Sequence, residues 1–179
     1  EEVNRINALV RHRIYGPNPR KIEKGEVIVF DAPHKGYYTN QELKVESLEV
    51  VTLTFRVIVR EKRKKVVTED IQFKLYVING TNKDIWEEGE KCNNWDGIFV
   101  IHEDDELKFK QFSARLNKQC KDGLLSFETR NYFYSLFAKF KYNHALSIHK
   151  SQGSTYKQAI LNIRNINLNG NTLEKKRLL

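Results

Sequence analysis

Methionine is missing from all 179 residues; cysteine and tryptophan occur twice each and proline three times. The two cysteines, Cys92 and Cys120, have no further Cys or His at ligand spacing, which excludes a disulfide-stapled scaffold and a structural zinc site. Two unrelated thiols suit a reducing compartment, and the expected location is cytoplasmic. No run approaches the ~18 apolar residues of a membrane-spanning helix, so no membrane partner is expected. No basic-then-apolar leader opens the chain. The Glu1-Glu2 start, together with the missing methionine, is read as the start of a piece of a longer polypeptide.

Hydrophobic residues make up 40% of the chain, enough to core one domain or two small ones. Lys and Arg number 31 against 23 Asp and Glu, a net charge of +8 that favours a polyanionic partner.

The apolar pattern changes period along the chain. Residues 1–16 read as a helix, with Val3, Ile6, Ala8, Leu9, Val10 and Ile14 as its stripe and Gly16-Pro17-Asn18-Pro19 as its stop. Short strands follow: Val27–Phe30, then strict alternation over Val51–Arg60. The alternation recurs over Ile71–Val77, with Gln72, Lys74 and Tyr76 on the off face, and a further strand runs from Gly97 to His102. Charged turns between short alternating strands predict a small antiparallel barrel. Helical period returns after Glu103-Asp104-Asp105-Glu106, with Phe109, Phe112, Leu116 and Cys120 on one face and Gly123 as terminator. A second helix carries Phe133, Leu136, Phe137 and Phe140. Strands Ala145–Ile148 and Ala159–Ile163 flank a loop at 149–156, Asn165–Asn171 reads as loop, and Leu173–Leu179 starts a basic helix.

The loop His149-Lys150-Ser151-Gln152-Gly153 has the chemistry of a phosphate nest. Glycine lets backbone approach a ligand, successive N–H groups form an anion cup, and the His, Lys, Ser and Gln side chains add donors. The alternative is a solvated polar turn. It is not a Walker A loop, since no Gly-x4-Gly-Lys-Ser/Thr occurs anywhere in the chain.

Ala145-Leu-Ser-Ile-His-Lys-Ser-Gln-Gly-Ser-Thr-Tyr156 resembles motif V of superfamily 1 DNA helicases of the RecD/Dda-like, 5′-to-3′ branch. Val3-Asn4-Arg5-Ile6-Asn7-x-x-Val10-Arg11 is similar to the helix after motif IV in that branch. The resemblance implies an α+β and α/β chain with four parts. Residues 1–25 would open the RecA-like domain 2A, 26–102 would be an inserted SH3-like barrel (2B), 103–141 two connecting helices, and 142–179 the second part of 2A. It assigns His149 and Ser151 to single-stranded DNA, with Lys150 beside them able to serve phosphate of either ligand, and Gln152, Gly153 and Thr155 to nucleotide coupling. Thr155 stands where the related UvrD-like branch has an acid. ATP and Mg belong to the complete enzyme and are not expected on this chain alone. The implied partners are single-stranded DNA and the helicase's domain 1A.

In the barrel, Lys62, Arg63 and Lys64 offer a basic tip for DNA, and Tyr37, Tyr38, Trp86, Trp95 and Phe99 offer stacking faces. The alternative is that Trp86 and Phe99 fill the barrel and the lysines are a solvated hairpin tip. Lys108, Lys110, Arg115, Lys118 and Lys121 form a basic helix side, read either as a DNA contact or as a solvent face. The nine acids of 84–106 suggest a protein partner at the barrel. A second functional reading, without a motor, is a stand-alone nucleic-acid-binding barrel.

Overall fold

A computed structural model describes residues 2–62, 65–82 and 97–145. Helix α1 (Glu2–Tyr15) forms where the sequence predicts it. Glu2 sits in the first turn and His12 and Arg13 in the last, as the helix dipole favours. Gly16, at φ 96°, ends the helix by donating its N–H to the His12 carbonyl at 3.0 Å. The inward face differs from the expected apolar stripe. The buried residues of α1 are Asn7 and Arg11, while Leu9 and Ile14 are exposed. Val3, Ile6 and Val10 of the expected stripe are half-buried, while Asn7 and Arg11 go furthest in because what they meet is a carboxylate, backbone polar groups and the Tyr142 ring.

Five antiparallel strands form one sheet in the order β4-β3-β2-β1-β5. They are β1 (Val27–Phe30), β2 (Glu42–Lys62), β3 (Lys65–Asn82), β4 (Ile98–Ile101) and β5 (Phe140–Tyr142). The predicted strand at 51–60 is the distal half of a longer one. A bulge between Val45 and Ser47 shifts the phase of alternation, which hides the segment before Val51 from a period-two reading. Phe140, expected on a helix, lies in β5 and pairs with Phe30 of β1.

The two faces of the sheet carry separate cores. On one face Ile28, Phe30, Leu43, Val45, Tyr76, Ile78, Ile98 and Val100 pack with Ile22 and Tyr37. On the other, Val57, Val59, Ile71, Phe73, Leu75 and Ile101 pack against two helices, α2 (Glu106–Lys121) and α3 (Phe127–Ser135). Phe73 is fully buried, with the rings of Phe109 and Phe137 at 5.7 and 6.0 Å edge-on. Tyr76, expected on the exposed side of β3, is fully buried, because at that point the second core covers the other face.

The described chain is therefore α+β, with an open five-stranded sheet and three helices. The expected closed barrel is not formed by these residues. β4 and β5 are the sheet's edges, four and three residues long, and share no ladder. A single backbone bond, from the Ala138 N–H to the Phe99 carbonyl at 2.8 Å, brings the approach to β5 back to β4. The readings at 146–179, including the second half of an α/β layer, lie outside the described residues.

Candidate nucleic-acid interface

The residues of the phosphate-nest loop, His149, Lys150, Ser151, Gln152, Gly153 and Thr155, lie outside the described residues; the chain that leads into the loop is described as far as Ala145. Each of the last four residues of that approach faces its own partner. The Tyr142 hydroxyl donates to the Lys21 carbonyl at 2.9 Å. Asn143 Nδ2 donates to Glu42 Oε1 at 2.9 Å. His144 Nε2 stands 3.6 Å from Glu26 Oε1. Ala145 gives its N–H to Asn7 Oδ1 at 2.8 Å and takes Asn7 Nδ2 on its carbonyl at 3.1 Å.

Ala145 and Tyr142 meet α1 directly, and Glu26 links His144 to it. Asn7 and Arg11 are one turn apart, so they share a face. Arg11 lies across Tyr142, its Cζ 4.1 Å from the ring centroid. Its Nε and Nη2 meet Glu26 Oε1 and Oε2 at 2.6 and 3.1 Å, and Nη2 also donates to the Arg20 carbonyl at 2.6 Å. The Glu26 side chain is fully buried and that of Arg11 is 7% exposed. Glu26 Oε2 also accepts the Glu23 N–H, and its backbone carbonyl accepts the Val45 N–H. Burial opposes the charge on Arg11, but the hydrogen bond to Glu26 and nearby negative charge outweigh it, and its pKa is raised. Burial also raises the Tyr142 pKa, against the opposing pull of Arg11. Taking two ions out of water is costly, so a buried pair persists only where hydrogen bonds satisfy both. Here Glu26 takes Arg11 and the Glu23 N–H, and Arg11 also meets the Arg20 and Lys21 carbonyls, so the pair seats the chain that runs to Ala145.

The composition and periodicity give no sign of this seat. Asn7 and Arg11 belong to the helix-resembling motif, but nothing in the pattern marks Glu26, Tyr142 or His144 as their partners.

The other predicted contacts are dispersed. β2 ends at Lys62, whose register partner is Lys65 at the start of β3; Arg63 and Lys64 lie outside the described residues. The hairpin is tied just before its tip, where Glu61 donates its N–H to the Leu124 carbonyl at 2.6 Å. Tyr37 is no stacking platform. It is 5% exposed and packs its ring 4.6 Å from Phe30. Phe99 is half-buried, with the Lys35 ammonium 4.7 Å from its ring. Tyr38 is open to solvent, and Trp86 and Trp95 lie outside the described residues.

The basic side of α2 divides in two. Lys108 donates to the Gln72 carbonyl at 2.5 Å and Arg115 pairs with Glu69 at 2.7 Å, so both tether the helix to β3. Lys118 and Lys121 have no ion-pair partner among the described residues. Among those residues no cluster of three or more His, Cys, Asp or Glu is placed to hold a metal ion, and no helix is long and apolar enough to cross a membrane. No protein-family model matches the chain, and no curated protein matches it.

Proposed function

We propose that this chain is part of a superfamily 1, RecD/Dda-like DNA helicase, contributing motif V at 145–156 and an inserted β domain in the place of the SH3-like 2B domain. The observation that carries this reading is the two-bond clamp of Asn7 on Ala145, residues 138 positions apart. The two segments that separately resemble this family meet there. The sheet and helices between them then read as an insertion into domain 2A.

On this reading His149, Lys150 and Ser151 grip phosphates of single-stranded DNA, while Gln152, Gly153 and Thr155 face the nucleotide side. The chain has no Gly-x4-Gly-Lys-Ser/Thr loop, so ATP and Mg would be held mainly by the helicase's domain 1A, and phosphoryl transfer would belong to that domain. What the residues of this chain supply is positioning: the Asn7–Arg11–Glu26 seat fixes the base of the loop so that a grip on DNA is transmitted to α1 and the sheet.

Extending the reading frame in both directions tests this proposal. A Walker A loop upstream and an arginine-finger motif shortly after Leu179 are expected. A frame holding neither sinks the helicase reading and leaves a nucleic-acid-binding module without a motor. In the full-length product, Ser151→Ala is expected to reduce unwinding with little change in melting temperature.

A further inference from the structure

The outer seam between α2 and α3 holds a cation, Arg130, that no carboxylate among the described residues answers. The two helices are antiparallel, and two hydrogen bonds set their register. The Tyr134 hydroxyl donates to the Ser113 carbonyl at 3.2 Å, and Arg130 Nη1 donates to Asn117 Oδ1 at 3.2 Å. One turn further along, Lys121 continues the α2 stripe of Ser113 and Asn117, and Phe127 continues the α3 stripe of Tyr134 and Arg130.

Arg130 is held from several directions. The rings of Phe127 and Tyr134, three residues before and four after it, lie 5.0 and 5.9 Å from its Cζ. Its Nε and Nη2 donate to Asn131 Oδ1 at 3.2 and 2.8 Å. All three hydrogen bonds run to neutral amide oxygens, and a guanidinium has five N–H groups, so two have no partner among the described residues. Asp122 and Glu128 stand close by in sequence, yet among the described residues neither pairs with Arg130, Lys118 or Lys121. This contrasts with Arg115 on the same helix pair, which Glu69 neutralises.

Beside this cation Phe127 is 61% exposed at the first position of α3. A large aromatic ring there contributes little to folding. The bond from Glu61 to Leu124 places the end of β2 against the α2–α3 connection, so the seam adjoins the end of the long hairpin.

We propose that this seam is a second contact for single-stranded nucleic acid, with Arg130 and Lys121 on backbone phosphates and Phe127 stacked on a base. A planar guanidinium fork matches a phosphodiester, and every base has a face that an exposed ring can cover. The two amides and two rings already order Arg130, so little side-chain entropy is lost on binding. The site rests on the nucleic-acid reading above and adds residues that the helicase resemblance does not assign.

The test is fluorescence anisotropy of a labelled oligothymidylate with the 179-residue chain across a salt series, each variant checked by thermal melting. Phe127→Ala, at an exposed helical position that tolerates alanine, is expected to weaken binding about tenfold. Arg130→Gln is expected to lower the log–log salt slope by about 1, and Arg130→Lys to keep that slope while losing affinity. If Phe127→Ala and Arg130→Gln bind with unchanged affinity and slope, the seam is overturned while the nucleic-acid reading stands. If the unaltered chain binds no oligonucleotide, both are overturned. Equal loss on duplex DNA for Phe127→Ala would overturn the stacking role.

Discussion

Asn7 serves Ala145 as a neighbouring strand would, its carboxamide accepting the residue's N–H and donating to its carbonyl. Asn7→Leu keeps the branched four-atom skeleton and removes both bonds. Leaving partly buried backbone groups unmet is expected to cost about 1 kcal/mol, read as a drop in the urea midpoint. Amide exchange at Ala145 should quicken more than exchange at the centre of β3. Unchanged stability and exchange would show that the clamp holds nothing.

The Arg11–Glu26 pair should behave as buried pairs do. Glu26→Gln or Arg11→Met alone is expected to cost about 3–5 kcal/mol, because each strands a buried charge or its donors. The double variant should cost less than the two singles together, and a double-mutant cycle in urea measures the difference. Strict additivity would mean that the two side chains contribute independently.

His34 makes stability depend on pH. It is 6% exposed, its Nε2 has no partner, and burial, then the charge of Lys35, lowers its pKa from the ordinary 6.5. The unfolded chain therefore takes up the proton first as pH falls. This contribution is level above 6.5, falls as pH drops below it, and levels again below the folded-state value. His34→Leu should flatten part of that slope in urea midpoints measured from neutral into mildly acid buffer. An unaltered slope would show that His34 does not carry it.

Gly80 packs against its cross-strand neighbour with no room for a side chain. A Cβ there would overlap the Lys44 carbonyl oxygen, a backbone atom that cannot swing away. Gly80→Ala is expected to cost about 1–3 kcal/mol by thermal melting. A gain in stability would show that the strand shifts freely at its bulge.

Much of the fold is legible locally. The ends of α1, the limits of β1 and the alternation of Val51–Val59 follow from periodicity and from one glycine stop. So does the apolar stripe of Phe112, Leu116 and Cys120, all buried. Two features are not. The bulge after Val45 breaks the alternation, and Phe140 continues a helical spacing into what becomes a strand. The candidate site is legible only as a motif at 145–156; the residues that seat it are not, because their partners are far away in the chain.

Taken alone, the sequence determined that α1, β1, the distal half of β2, the centre of β3, β4 and α2 are helix or strand, since side-chain spacing of two or 3.6 residues is a local property of the backbone. Tertiary structure alone decided that α1 turns Asn7 and Arg11 inward and leaves Leu9 and Ile14 outside. It also decided that the sheet of the described residues stays open. Burial of a polar side chain depends on whether a distant chain segment brings the matching group. Here Glu26, Tyr142 and Ala145 do, across 15, 131 and 138 positions.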